Sequence, residues 1–286
     1  MQEVMTFGKM AALAFIIVMS GYYLAFKESA TLMGNLGKPF EGTLWQVTEY
    51  APAFNHGLFS YDGWNNLNII SGDLANPGTT LPLAIWLSMA LVVVLYMFTI
   101  VGYYAVLPSK LTATTPTIGV EFGRAVLGNF GAILMPFFVV NSTFGSALSS
   151  MATSSEIVIL AADSGHIPHF FGRINRTLGT ALNAYILQLV LSIFFVLISD
   201  FDGLVNIYSM PTWIFYAACV VVLLLMRVRE PKAARPYRVW MTTPILFLIA
   251  CMFLLVTSLW AEPYSVGASI LVTLLGIPVY FFFIKK

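Results

Sequence analysis

Residues His56–Pro77 read HGLFSYDGWNNLNIISGDLANP, and they stand between long apolar runs. The stretch nevertheless carries Gly57, Gly63 and Gly72, the carboxylates Asp62 and Asp73, and four asparagines. Twelve uncharged residues separate Glu49 from Asp62, and ten separate Asp62 from Asp73. Neither half alone crosses a hydrocarbon core of ~30 Å, which takes ~20 helical residues. Joined, they reach across if the helix breaks near Asp62–Gly63. Non-helical backbone at membrane depth is tolerated only where protein or a water-filled cavity covers it. The stretch therefore predicts an interrupted helix that lines a site.

The whole chain agrees with a membrane setting. Of its 286 residues 59% are hydrophobic and 9% charged, with a mean hydropathy of +0.85. A soluble domain carries about 25% charged residues, so this chain cannot cover itself with polar surface. It reads as an all-α integral membrane protein. A net charge of +1 offers no electrostatic footprint for nucleic acid. Cys219 and Cys251 sit inside apolar runs, so no disulfide framework is expected. No cleavable signal peptide is expected, because the apolar run after Met10 lacks a basic leader and a small-residue cleavage site.

Charges bracket the spans. One transmembrane domain over residues 1–286 is expected, with spans near 8–26, 51–73, 82–107, 129–156, 178–199, 203–226, 240–261 and 264–284. The second of these eight is the broken one. The connection over 27–50 holds the breakers Gly34, Gly37 and Pro39; that over 108–124 has room for a short helix from Thr117 to Arg124. An even span count puts both termini on one side. That side carries Arg173, Arg176, Arg227, Arg229, Lys232, Arg235, Arg238, Lys285 and Lys286, against Lys27, Lys38, Lys110 and Arg124 on the other. The positive-inside rule makes both termini cytoplasmic. Tyr22, Tyr23, Trp240, Trp260 and Tyr264 near span ends fit an interfacial aromatic belt. The sequons at Asn141 and Asn175 fall in a span and on the cytoplasmic side, where glycosylation is not expected.

Few residues carry chemistry. An intramembrane carboxylate such as Asp62 is costly unless paired or wet, and so marks a candidate site; capping a half-helix is its plainer role. An unwound segment offers free N–H and C=O groups and helix-end partial charges. Such a set suits a zwitterion, and paired half-helices of this kind build substrate sites in secondary transporters. Phe59, Tyr61 and Trp64 beside the break are placed to shape or close an apolar pocket. Lys9 has two readings, a lysine snorkelling to the interface or a fixed cation inside the bundle. Small hydroxyl residues of the fourth span, among them Ser146, Ser149, Ser150 and Thr153, share a helix face suited to close packing. Pro211 is expected to kink the sixth span, where Tyr208, Thr212 and Trp213 interrupt an aliphatic run. His56, His166 and His169 form no metal set. With no zinc spacing, nucleophile elbow or phosphate loop, neither an enzyme nor a cofactor is expected.

GLFSYDGWNNLN, the later NP and LPLAI, TFGSALSS, TSS, GHIP, REPKAARPYRVW and GIPVYFF together resemble the L-type amino-acid transporter family of the amino acid–polyamine–organocation superfamily. The text around GLFSYDGWNNLN, EFGRAV, INRTLGTALNAYILQ and RPYRVW looks most like fungal methionine-permease-type members. The resemblance covers essentially the whole chain. It implies twelve spans, the first ten forming two inverted five-helix repeats, with the eight spans here matching the fifth to the twelfth. It implies an amino-acid substrate bound at the broken sixth helix, with Phe59 as the aromatic gate. Ser60, Tyr61, Asp62 and Gly63 match the unwound substrate-facing backbone, Asn65 a polar neighbour, and Trp213 an aromatic of the tenth helix. Lys9 matches a fifth-helix lysine standing where related transporters hold sodium, and Ser150 an eighth-helix serine near it.

Departures from the pattern qualify these expectations. Asp62 replaces a common glycine and Glu156 a common basic residue. The first four helices of the pattern have no match, nor does the cysteine region by which animal members bind a heavy-chain glycoprotein, so that partner is not expected. Expected, then, is a truncated neutral amino-acid permease, large-neutral or methionine-directed, in the plasma membrane. The alternative is a transport-incompetent form that acts by associating with a full-length permease.

Overall fold

The structure is a computed structural model that describes residues 2–27, 30–37, 42–43, 45–69, 71–175, 177 and 179–281. Every named element is a helix: α1 Gln2–Phe26, α2 Ala30–Gly37, α3 Val47–Ser60, α4 Asn66–Ile69, α5 Pro77–Val106, α6 Ser109–Thr114 and α7 Ile118–Leu127. There follow α8 Asn129–Asp163, α9 His169–Gly172, α10 Leu182–Ile198, α11 Phe201–Arg229, α12 Thr242–Ala261 and α13 Pro263–Val279. Five of these (α1, α5, α8, α11 and α12) are long and apolar enough to cross a membrane. Most of their apolar side chains point outward: Phe26, Trp86, Ile133, Val228 and Trp260 are all exposed. That is the arrangement of a protein whose solvent is hydrocarbon, and the chain is an integral membrane protein.

The other three expected spans correspond to the α3–α4 segment and to α10 and α13, both 17 residues long. Helix ends and charge brackets do not coincide. α1 begins at Gln2 rather than near residue 8, α8 runs on to Asp163 past Glu156, and α11 ends at Arg229 rather than 226. Helices satisfy their own backbone whether or not a residue is charged, so a charge marks a change of depth and not a helix end. The connection over 27–50 contains α2 despite Gly34, while 108–124 contains α6 and leads into α7. Lys38, Pro39, Arg176, Lys285, Lys286 and the end of the expected 264–284 span lie outside the described residues.

The chain forms two compact units, Met1–Thr43 with Trp86–Ala152, and Leu44–Ile85 with Thr153–Lys286. In the first, Ile16, Val106, Leu107, Phe122 and Met135 are buried together, with Phe15 against Phe138 and Tyr103 edge-on to Phe122. Gly123 of α7 meets Gly131 of α8 so closely that a Cβ on either would strike the other's backbone. The α2 residue Asn35 closes a junction. Its Nδ2 donates to the carbonyls of Tyr104 (2.7 Å) and Leu107 (3.0 Å) at the end of α5, and its Oδ1 accepts from the Ser109 amide (3.0 Å). One side chain thus serves orphan carbonyls of one helix end and an orphan amide of the next.

In the second unit α3 packs on α11 and α12, and α13 packs on α11. Pro211 within α11 has no N–H for the carbonyl of Ile207, four residues back. Ser269 of α13, fully buried, donates its Oγ to that carbonyl at 3.2 Å. The expected irregularity at Pro211 is therefore served from a neighbouring helix.

Candidate functional site

α3 stops at Ser60, and residues 61–65 are non-helical before α4 begins. The last turn tightens first, with Tyr61 N–H donating to Leu58 (3.0 Å) and Asp62 N–H to Phe59 (3.2 Å). Gly63 then adopts φ +104°, a region that residues with a Cβ rarely enter. Among the described residues, the amides of Gly63, Trp64 and Asn65 have no backbone acceptor. The Ser60 hydroxyl turns back to the His56 carbonyl at 3.0 Å. Tyr61 is half-buried, whereas Asp62 is exposed.

A long-range contact holds the turn. Tyr208 of α11 donates its hydroxyl to Asp62 Oδ2 at 2.7 Å. Phe59 lies edge-on to both Phe201 (5.9 Å) and Tyr208 (6.2 Å). Nearby, His56 Nε2 stands 3.7 Å from Asp202 Oδ1. Between these elements an apolar cleft of ≈ 700 Å³ is lined by Phe59, Asn65, Tyr208, Pro211, Phe215 and Tyr216, among others. That lies within the usual size of small-ligand pockets. Two buried polar atoms of lining residues, Asn65 Oδ1 and the Tyr216 hydroxyl, have no hydrogen-bond partner among the described residues. Trp213 backs the cleft without lining it: its ring packs on Tyr216 at 5.8 Å, and Trp64 packs on the same ring at 5.5 Å. Behind the cleft, buried Asn55 donates to Ser258 Oγ at 3.2 Å. It shares a cavity of ≈ 10 Å³, the size of one water, with Asn206 and Glu262.

Phe59 through Asn65 thus lie together, whereas Tyr208 carries no sequence signal beyond interrupting an aliphatic run and Tyr216 carries none. Lys9 and Ser150 belong to the first unit. Lys9 lies seven residues inside α1, and its Nζ donates to Ser146 Oγ at 2.6 Å, one turn before the exposed Ser150. The same seam joins Gln2 Nε2 to Ser149 Oγ at 2.8 Å and seats Met5 against Gly145. Of the expected hydroxyl face of α8, Ser146 and Ser149 thus meet α1, whereas Ser146 and Ser150 stay exposed and the close seat is at Gly145.

The site thus sets unpaired backbone amides beside an apolar cleft on a scaffold of membrane-length helices. Residues 1–283 match the family model "Amino acid permease", and the chain belongs to that family. It is 32% identical over 283 residues to the human cystine/glutamate transporter, covering 99% of this chain and 56% of that protein. It is 34% identical over 287 residues to the human large neutral amino acids transporter small subunit 2, covering 98% of the chain and 52% of the relative. With the mouse b(0,+)-type amino acid transporter 1 the figures are 31% over 284 residues, 99% and 57%. The chain spans about half the length of these curated relatives.

Proposed function

We propose that the protein moves neutral amino acids across a membrane by alternating access, with residues 59–65 as one half of the substrate site. The supporting observation is the unwound turn: free amides at Gly63, Trp64 and Asn65 beside a cleft walled by aromatic rings. The substrate carboxylate takes those amides, and its ammonium takes the carbonyl end of α3 and the Asp62 carboxylate. The apolar side chain enters the cleft, where Phe59 closes over it. Asn65 orients the bound amino acid, with Trp213 supporting the wall through Tyr216. Lys9 acts as a fixed cation paired with hydroxyls of α8, Ser146 and Ser150, in place of a metal ion.

On this reading the chain corresponds to spans five to twelve of a twelve-span permease built on inverted repeats, with both termini cytoplasmic and the plasma membrane as its location. The likeness of its motifs to methionine-permease-type members makes methionine the first substrate to try. The test is uptake of labelled methionine, leucine, cystine, glutamate and lysine by proteoliposomes. It is run on the 286-residue chain and on any longer form the gene supplies. Saturable uptake of a neutral amino acid by either form, reduced at the occlusion step by Phe59→Ala, is the expected result. Unchanged uptake and occlusion in Phe59→Ala would remove the gate assignment. Failure of both forms to bind any amino acid would remove the transport reading itself. Lys9→Ala is expected to abolish or uncouple transport, and wild-type transport by that variant would leave Lys9 as an interfacial anchor.

A further inference from the structure

The last turn of α11 and its connection to α12 hold Arg227, Arg229, Lys232, Arg235 and Arg238 against one carboxylate, Glu230. Two of these cations are used inside the fold. Arg235 donates to the carbonyls of Ala233 (3.1 Å), Met226 (3.2 Å) and Glu230 (2.9 Å), folding the loop back onto the end of α11. Arg227 Nη1 donates to the carbonyl of Val239 at 3.1 Å and fixes the loop's far end. Pro236 seats on Gly78, where a Cβ would collide with its ring. The loop is thus a braced structure.

Arg229, Lys232 and Arg238 remain exposed. Among the described residues none of them lies within 4.0 Å of a carboxylate. Beside them Trp240 is 84% exposed, and Tyr237 and Val228 are exposed as well. Indole and phenol rings settle at headgroup depth, and an exposed valine next to Arg229 belongs at the edge of the hydrocarbon. Three unpaired cations on a braced segment are thereby set beside rings suited to headgroup depth.

We infer that the α11–α12 loop is a binding site for acidic phospholipid headgroups, with Arg229, Lys232 and Arg238 as its ligands. Anionic lipid at a membrane surface attracts juxtamembrane cations within a Debye length. The internal bonds of Arg235 and Arg227 hold the backbone that carries the three side chains, so the cost of ordering that backbone is met by the fold and not by the lipid.

The test reads the association of spin-labelled phosphatidylserine and phosphatidylcholine with the purified chain in phosphatidylcholine bilayers. The wild type should prefer phosphatidylserine several-fold, with the preference falling at ~1 M salt, where the Debye length is ~3 Å. R229Q/K232Q/R238Q should bring the ratio close to one, whereas R229K/R238K should keep it, which separates charge from damage to the fold. Glycerophosphoserine in solution should not compete at millimolar concentration. Equal association of the two lipids with the wild type, or an unchanged preference in the triple glutamine variant, would overturn the assignment. So would competition by the soluble headgroup, because the site would then be one for a free phosphate.

Discussion

Replacing Ser269 with alanine tests whether α13 completes α11. The hydroxyl lies 3.2 Å from the Ile207 carbonyl, which lacks its usual helical donor because Pro211 supplies no N–H. Removing the hydroxyl leaves a buried carbonyl without that bond. Unsatisfied buried groups cost about 1–3 kcal/mol, whereas interhelical bonds in membrane proteins average about 0.6 and reach about 1.7. Pro211 offers the carbonyl no helical N–H in exchange, so a loss of about 1–2 kcal/mol is expected. The discriminating arm is Pro211→Ala, which restores the N–H; in that background Ser269→Ala should cost only a few tenths of a kcal/mol. The double-mutant cycle should return a coupling of about 1 kcal/mol, read by equilibrium SDS unfolding in mixed micelles with tryptophan fluorescence. Equal costs in the two backgrounds would refute the idea that this hydroxyl serves the proline-freed carbonyl.

Tyr208→Phe keeps the ring against Phe59 but deletes the 2.7 Å bond to Asp62. Affinity for a zwitterionic amino acid should fall about tenfold, equivalent to ~1.4 kcal/mol, as measured by scintillation proximity binding. Gly63→Ala places a Cβ at φ +104°. A stability loss of about 1–3 kcal/mol is expected in the same unfolding assay, together with loss of binding. Asn35→Asp presents a carboxylate oxygen to the Tyr104 and Leu107 carbonyls but keeps an acceptor for Ser109. Hydrogen exchange at the Ser109 amide should accelerate in Asn35→Ala and less so in Asn35→Asp, although the aspartate variant is the less stable of the two.

The interruption at Asp62–Gly63 was legible because glycines and carboxylates are costly in an apolar chain. Such residues announce themselves without any knowledge of their neighbours. The cores of the long spans were legible for the same reason. Helix ends were not: Glu156 and Arg229 lie within α8 and α11, since long charged side chains reach water while their backbone stays helical. α2 was hidden by Gly34, because tertiary contacts of Asn35 outweigh a propensity deficit of about 1 kcal/mol. Least legible were the pairings across the fold. Asp62 and Tyr208 lie 146 residues apart, and Ser269 and Ile207 lie 62 apart. No periodicity links such positions, so the acceptor that makes Ser269 matter appears only in three dimensions.

The bond from Ser269 also sets an order of events during synthesis. Pro211 leaves the ribosome 58 residues before Ser269, about 3–12 s earlier at ordinary elongation rates. Through that interval α11 is already in the membrane with a carbonyl at Ile207 that its own backbone cannot serve. It must borrow water or a transient partner until α13 arrives. The docking of α13 therefore completes α11 at Pro211, and a nascent chain arrested before Pro263 should present the Ile207 carbonyl to whichever chaperone or translocon surface offers it a donor.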